Sequence, residues 1–523
     1  MAAAPKIRLV VAPIAGLAAF MEVLDISIAN VALQHIAGSM SASLDEATWV
    51  LTSYLVTNAI VLPMSGWLAT AIGRKRYFLG CIAGFAVSSL LCGLAPSLGM
   101  LIACRALQGL TGGGLQPNAQ AILADTFPPE KRGLAFAAYG LAVVVAPAIG
   151  PTLGGWITDG FSWRWVFLIN VPVGIVLFFL ANRYIDDPPA LIAARTARLA
   201  RGLNFDYLGF ALLVIGMGAL QIVLDRGQED DWLSSPFIAH AMEVAVAGVI
   251  GFILWELWRK DPLVELRLLA SRNFGMGNVL MFMLGFVLLG STVLLPEFVQ
   301  VMLGYTATDA GLVISPGGFA VFMIMPLIGI LVSKFDPRLL IAVGLSANAA
   351  ALLYMSNFDL QVGYWTVAWG RIYQSLGLGF LFIPINTISY IGMPPAQNNN
   401  ASAIINMMRN LGGSIGISVV TTVLARRTQV HQNILAQHTT AYSNNYQDMV
   451  QSMQQHFMAT AGSAVDALQQ AEAAVYRMVQ QQAQLLAFLD DFRMMATLFI
   501  VLVPFLLIMR RPVVGAGPPP PAH

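Results

Sequence analysis

Apolar residues run through this chain in long blocks, separated by short charged or Gly/Pro-rich breaks. Blocks of about 20 residues are the length a helix needs to cross a bilayer with every backbone polar group satisfied internally. Reading them in order predicts helices at about 11–34, 47–71, 77–95, 98–124, 133–157 and 163–184. A charged stretch from Asp186 to Asn204 follows, then two helices at about 206–224 and 236–258. Six more are predicted at about 273–299, 308–332, 338–356, 363–391, 400–425 and 492–510, giving fourteen spans in a six, two, six order. The expected fold class is an all-α integral membrane protein. Its units are an N-terminal six-helix bundle (1–184), a linker with two inserted helices (185–272), a C-terminal six-helix bundle (273–511), and a tail (512–523) whose four consecutive prolines predict disorder.

Composition removes the soluble alternatives. Hydrophobic residues make up 57% of the 523 and charged residues only 11%, too little charge to cover a surface facing water. The net charge of +1 and pI near 7.7 give no sign of a nucleic-acid partner, which needs clustered Lys and Arg. Cys81, Cys92 and Cys104 all fall in apolar blocks and read as small buried hydrophobes, with neither a disulfide framework nor a metal site in their spacing. Basic residues prefer the cytoplasmic side. With both termini inside, nineteen of the 28 Lys and Arg residues fall in cytoplasmic loops, among them Arg74, Lys75 and Arg76, six fall on the opposite face, and Arg105, Arg371 and Arg409 lie within spans.

The two six-helix groups repeat one another. Pro63-Met64-Ser65-Gly66 resembles Pro326-Leu327-Ile328-Gly329 at an offset of 263 residues. Arg105-Ala106-Leu107-Gln108-Gly109 resembles Arg371-Ile372-Tyr373-Gln374-Ser375, and Ala148-Ile149-Gly150 resembles Ser414-Ile415-Gly416, both at an offset of 266. Three pairs in one order at a nearly constant offset imply two parallel halves with a site between them near the midplane. The middle two helices are then an insertion.

Further motifs carry a family resemblance over nearly the whole chain: VLDISIANVAL in the first helix, WVLTSYLVTNAI in the second, GWLATAIGRKR after it, RALQGLTGGG in the fourth, APAIGPTLGGW in the fifth, LQIVLDRGQEDDW between the inserted helices, LGYTATDAGL, and RNLGGSIG near residue 410. Together they resemble the fourteen-span drug/proton antiporters of the major facilitator superfamily. The resemblance implies a major facilitator fold, export of hydrophobic or amphipathic compounds, and a proton gradient instead of a cofactor. It also implies residence in the cell inner membrane, with a periplasmic adaptor and an outer-membrane channel as partners in a three-part pump. In the fifth helix Gly150, Pro151, Gly154 and Gly155 combine close backbone approach with removed helix hydrogen bonds, and in the family this pattern marks exporters. Gly66 and Gly73 flank the turn leading to Arg74, but Thr70 stands where the family has Asp, which puts the ion pair that Asp would make between the halves in doubt.

Ionisable groups inside spans cost about 2.5–3.5 kcal/mol each on insertion scales, so they carry the candidate chemistry. Glu22 and Asp25 lie one turn apart on the first helix, and Arg105 heads a polar stripe on the fourth. An acid facing an arginine in low dielectric is a natural switch, since pairing favours the carboxylate and desolvation the neutral acid. The resemblance likewise implicates the helix 1 acid and the helix 4 arginine in proton coupling. Asp25 is therefore expected to carry a proton or to be a fixed partner of Arg105. Arg371 and Arg409 read as structural or inter-half contacts, Glu297 as a second titratable group, and Glu243 as an interface residue of little weight. Asn30, Tyr54, Asn58, Gln116, Asn118, Asn386 and Asn406 lie at mid-span depth and are candidates for the substrate cavity, although interhelical hydrogen bonding explains such residues as well.

Residues 426–492 are the least membrane-like part. Val450, Met453, Phe457, Val465, Leu468, Ala471, Val475, Met478 and Gln482 recur at intervals of three and four, which predicts one or two amphipathic extracytoplasmic helices. A solvated cap and an adaptor dock both fit. No GxxxxGK[ST] loop is present, which argues against a built-in ATPase. A facilitator of one metabolite and a non-transporting scaffold or sensor remain as the other classes.

Overall fold

The computed structural model describes residues 5–128, 131–201, 205–440, 442–459 and 463–510. The tail from 512 lies outside them, as do the side chains of Lys6, Arg8, Pro151, Arg198 and Arg201. The first half comprises α1 (Pro5–Ser39), α2 (Leu44–Ile72), α3 (Arg74–Leu94), α4 (Leu98–Gly112), α5 (Leu115–Thr126), α6 (Arg132–Gly160), α7 (Arg164–Leu168) and α8 (Asn170–Tyr184). The middle comprises α9 (Pro189–Arg201), α10 (Tyr207–Arg226) and α11 (Pro236–Trp258). The second half comprises α12 (Arg272–Val301), α13 (Ala307–Lys334), α14 (Pro337–Met355), α15 (Tyr364–Ser389), α16 (Asn398–His438), α17 (Asn444–Phe457) and α18 (Ala464–Leu502).

Local chemistry sets several boundaries. Ser43 and Glu46 form a reciprocal capping box at the start of α2, with Glu46 N donating to Ser43 Oγ at 3.2 Å and Ser43 N donating to Glu46 Oε2 at 2.9 Å. Ser97, Thr306 and Ser463 cap α4, α13 and α18 in the same way with their hydroxyls. Between α2 and α3, Gly73 turns the chain at φ 100°, where a side chain would be strained. One of the first orphan amides of α3 is met by Asp187, whose Oδ1 accepts from Lys75 N at 2.8 Å.

Eleven described helices are long and apolar enough to cross a membrane, and a twelfth if the two parts of α6, bent by 51° at Pro147 and Thr152, count as one. Two passes of the six, two, six order remain: α4 with α5, whose helices of 15 and 12 residues are each too short, and α16, whose first turns are rich in Asn and Gly. The fourth pass is broken at Gly113 and Gly114, where the GLTGGG run gives way to a turn. The fourteen-pass reading is thus consistent with the structure.

The insertion does not stand apart. α10 packs on α11 through Gly216 and Gly248, where a Cβ on either would lie 2.6 Å from the other's backbone, and its other side lies against α2 and α16. It therefore covers the seam where the two halves meet. On the second-half side of the seam, α12 and α16 cross at their backbones: a Cβ on Gly285 would fall on the Arg409 carbonyl, and one on Gly412 on the Phe282 carbonyl. This contact fixes the height of Arg409.

The described residues of 426–492 are largely helical, and the helices of the two flanking spans run on into this segment without a break. α16 runs unbroken from 398 to 438 and α18 from 464 to 502. Asp490 of α18 ties them by accepting from Arg427 Nε at 2.6 Å and pairing with His431 Nε2 at 2.8 Å. Val450, Met453 and Phe457 of α17 pack on Ala471 and Val475 of α18 as periodicity predicts, but Val465, Leu468 and Met478 are exposed.

Gly412→Val is expected to destabilise the protein by about 1–3 kcal/mol through overpacking at the α12–α16 crossing, read as a lowered midpoint of thermal unfolding in detergent. Gly155→Val, at a position with no atom within 4 Å of a built Cβ, is expected to leave that midpoint unchanged.

Candidate proton-coupling and substrate site

Two of the charged residues predicted to matter meet in the first half. Asp25 of α1 and Arg105 of α4 are both fully buried and paired, Arg105 Nη1 donating to Asp25 Oδ2 at 2.5 Å. Asp25 Oδ1 accepts from Gln108 Nε2 at 3.0 Å and from Asn170 Nδ2 at 2.7 Å. Those two amides also donate to Ser89 Oγ, each at 3.1 Å, and Ser89 in turn donates to the Phe167 carbonyl at 2.8 Å. The guanidinium is held further by the Val50 carbonyl, 3.1 Å from Nε, and by the Tyr54 ring, whose centroid lies 4.3 Å from Cζ. The pair is therefore embedded in α2, α3, α4 and α8 with little freedom of its own. Asn170 and Ser89 were not singled out from sequence, since an Asn at a helix start and a Ser within an apolar helix are common.

Glu22, one turn nearer the N-terminus, has a different setting. It is buried, takes one hydrogen bond from Asn58 Nδ2 at 3.0 Å, and its Oε2 has no hydrogen-bond partner. Beside it Gln116 accepts from Arg409 Nη2. Arg409 belongs to α16, so the carboxyl of Glu22 stands at a link between the halves.

Above this link is a mostly apolar cavity of about 640 Å³. Among its lining residues are Asn30, Tyr54, Asn58, Gln116, Arg105 and Arg409, with Leu288, Thr292 and Thr421 from the second half. The lining follows α1 and α2 to Leu33 and Thr48, near the ends joined by the 40–43 turn, so the cavity opens away from the basic Arg74–Arg76 loop. Its volume suits a drug-sized molecule. The inserted helix α10 forms part of the wall with Met217, Gln221, Leu224 and Asp225, and Thr52 donates to the Asp225 carboxylate. The sequence assigns the insertion no such place, because nothing in hydropathy shows which neighbours an extra pair of helices chooses.

The other predicted cavity residues lie elsewhere. Asn118 donates to the Gly114 carbonyl of its own helix turn at 2.6 Å. Asn386 and Asn406 sit beneath the cavity floor, where the halves touch: Gln120 donates to Asn386, Asn406 Nδ2 donates to Gln120 Oε1 at 2.5 Å, and Tyr139 Oη donates to Asn406 Oδ1 at 3.0 Å. Ser402 Oγ adds a bond to the Pro117 carbonyl at 2.7 Å. Asn386 and Asn406 thus serve interhelical bonding and Asn118 a bond within its own helix, as their dry surroundings require.

The seal continues to the basic face. Gly66 lies against Asn400, with no room for a Cβ. Arg74 is buried and pairs with Asp125 of α5 at 2.5 Å, and the other oxygen of Asp125 accepts from Asn398 of the second half. Asp125, in the LADTFPPEKRG run, thus provides an acid to this face, whereas Thr70 only bonds the Gly66 carbonyl of its own helix at 3.0 Å. Gly73 packs near Asp187 and Arg195. In α6, Gly150 and Gly154 receive Ser27 and Ile28 of α1, while Gly155 packs on nothing. Among the described residues the hydrogen-bond partners of Arg371 are Gln374 and Ser291, both within the second half. Glu297 is half-buried and not among the cavity-lining residues, while Asp491 is fully buried, with no hydrogen-bond partner at either oxygen among the described residues. Glu243 is exposed on α11.

Two six-helix halves around a cavity between them, with a buried ion pair in the first half, define a secondary-transporter architecture. A family profile described as Major Facilitator Superfamily matches residues 15–417, and the chain belongs to that superfamily. Among individual relatives, it is 37% identical to the multidrug export protein EmrB of Escherichia coli (strain K12) over 512 residues, covering 98% of this chain and 97% of that one. It is 36% identical to the fatty acid resistance protein FarB of Neisseria gonorrhoeae, with 96% of both chains covered. It is 30% identical to the colistin resistance protein EmrB of Acinetobacter baumannii, with 94% of both covered. Solved structures share the fold at 14% identity: the human organic anion transporter MFSD10 (TM-score 0.59, covering 97% of this chain and 100% of that one) and the proton:xylose symporter XylE (TM-score 0.58, 95% and 96%).

Arg105→Gln is expected to cost about 3–5 kcal/mol by leaving Asp25 buried without its cation. The double variant Asp25→Asn/Arg105→Gln is expected to recover a large part of that loss, so thermal unfolding of the four proteins in the cycle should show strong non-additivity.

Proposed function

We propose that this protein is a proton-driven exporter of hydrophobic and amphipathic compounds, working by alternating access in the inner membrane with both termini in the cytoplasm. The observation that carries the reading is the position of two buried carboxyls, Asp25 and Glu22, beside an apolar cavity open on one face while the opposite face is closed by bonds between the halves. The basic loops lie on the closed face, which makes the cavity outward-open under the positive-inside rule.

In this cycle a proton from outside reaches Glu22 and Asp25 through the cavity. Neutralising Asp25 weakens its hold on Arg105 and on the amides of Gln108 and Asn170. Neutralising Glu22 changes the charge balance facing Gln116 and Arg409 across the halves. Closure of the outer cavity and release of the inner seal follow, and the protons leave to the cytoplasm as the next substrate enters. Each charge crossing supplies about 2.3 kcal/mol per 100 mV. The names of the relatives, multidrug export, fatty acid resistance and colistin resistance, agree with an amphipathic cargo, and the mostly apolar cavity wall fits one. No resident cofactor enters this scheme.

We also assign the α16–α18 hairpin to a periplasmic adaptor, through which an outer-membrane channel would be reached. Support comes from apolar residues exposed beyond the membrane, where no lipid covers them: Ile434, Tyr442, Met458, Val465 and Met478.

Inverted vesicles energised by respiration test the first reading. Adding a transported dye should release protons, and Asp25→Asn and Glu22→Gln should each abolish the release while dye binding persists. Dye movement with no proton release in the wild type would make the protein a facilitator instead. For the hairpin, deleting 430–490 should remove resistance in cells with an outer membrane while proton-coupled dye transport in vesicles survives; unchanged resistance would sink the adaptor assignment.

A further inference from the structure

The second half repeats the polar centre of the first with its acid removed. At the 266-residue offset, Arg371 and Gln374 stand for Arg105 and Gln108, and Ser291 stands for Asp25. The hydrogen bonds repeat as well. Arg371 Nη1 donates to Gln374 Oε1 at 2.8 Å, matching the 2.7 Å bond from Arg105 Nη1 to Gln108 Oε1. It also reaches Ser291 Oγ at 3.3 Å, where Arg105 has the Asp25 carboxylate.

What the repeat lacks is negative charge. Arg371 is 3% exposed and Gln374 fully buried, yet among the described residues no carboxylate lies within 4 Å of this guanidinium. Its hydrogen-bond partners among the described residues, Gln374 and Ser291, are both neutral. Gln374 Nε2, whose counterpart in the first half donates to Asp25, has no acceptor, and neither has Arg371 Nε. The aromatic face that Tyr54 offers Arg105 is also gone, since at the 263-residue offset of that helix its counterpart is Gly317. A buried guanidinium left with neutral partners and orphan donors is strongly disfavoured.

We infer that the second half binds a small monovalent anion of chloride size against Arg371, Gln374 and Ser291, in the place that the Asp25 carboxylate takes in the first half. The Gln374 amide and the guanidinium supply the donors. Ser291, whose hydroxyl now donates to the Leu288 carbonyl at 3.1 Å, is short enough to leave the position to a free ion. The ion is distinct from cargo. From this stretch of α12 the cavity wall takes Leu288, Leu289, Thr292 and Val293, with nothing from α15, so Ser291 faces away from the cavity. The two halves then differ in a defined way: one holds its arginine with a tethered acid that can take a proton, the other with an ion that cannot at physiological pH.

Thermal unfolding of the purified full-length protein, with chloride replaced by gluconate at constant ionic strength, tests this. Chloride or bromide should raise the midpoint saturably, by about 2–4 °C. Ser291→Asp, which supplies the acid in place, should abolish the halide response and unfold in gluconate no lower than the wild type does in chloride. A wild type indifferent to halide, or a response undiminished in Ser291→Asp, overturns the inference. Should that variant fail to fold, crystals of the wild type grown in bromide decide: an anomalous peak beside Arg371 supports the site, and its absence overturns it.

Discussion

A guanidinium and a carboxylate buried together in a medium that hydrates neither can persist only if nearly every donor and acceptor around them is committed. The Asp25–Arg105 pair imposes that condition on five helices. Gln108 must sit one turn from Arg105, Asn170 must begin α8 at that depth, Ser89 must bridge the two amides, and α2 must offer both the Val50 carbonyl and the Tyr54 ring. The first half is in this sense organised around one ion pair, and any change of its charge is felt by all five helices at once.

The contacts between the halves are of another kind. They are mainly neutral amide and hydroxyl bonds, Gln120 to Asn386 and Asn406, Tyr139 to Asn406 and Ser402 to Pro117, with two arginines donating to neutral partners, Arg409 to Gln116 and Arg132 to the Tyr390 carbonyl, and one acid, Asp125, accepting from Asn398. Neutral bonds of this type contribute about 1 kcal/mol each, strong enough together to close one face and weak enough singly to part in sequence. α10 spans the same seam from the side, so opening and closing take place against a helix that both halves of the cavity share.

The passes were legible because hydropathy reports them directly, and the repeat was legible because its offset is nearly constant over three motifs. Asp25, Glu22 and Arg105 could be found because charges within spans are few. Other features had no such signal. Asn386 and Asn406 carry the same residue type as Asn30 and Asn58, and only the closing of the halves sends one pair to the seal and the other to the cavity. Asp125 hid next to a charged loop, and Asp491 beside Asp490 at the edge of a span. Hydropathy also ended two passes near 425 and 492, whereas the backbone of α16 and α18 continues, because a Gln- and Ala-rich run keeps its helix propensity in water.

That continuity has a mechanical meaning. From Arg409, beside the cavity floor, to His438 at the tip, α16 runs as one rod of about 44 Å at 1.5 Å per residue. The Asp490 ties to Arg427 and His431 brace it against α18. A rocking of the second half by about ten degrees would carry the tip through roughly 7–8 Å, following from that length. The hairpin is a lever arm: whatever holds its far end would register each turn of the cycle as a displacement several times larger than the motion at the fulcrum.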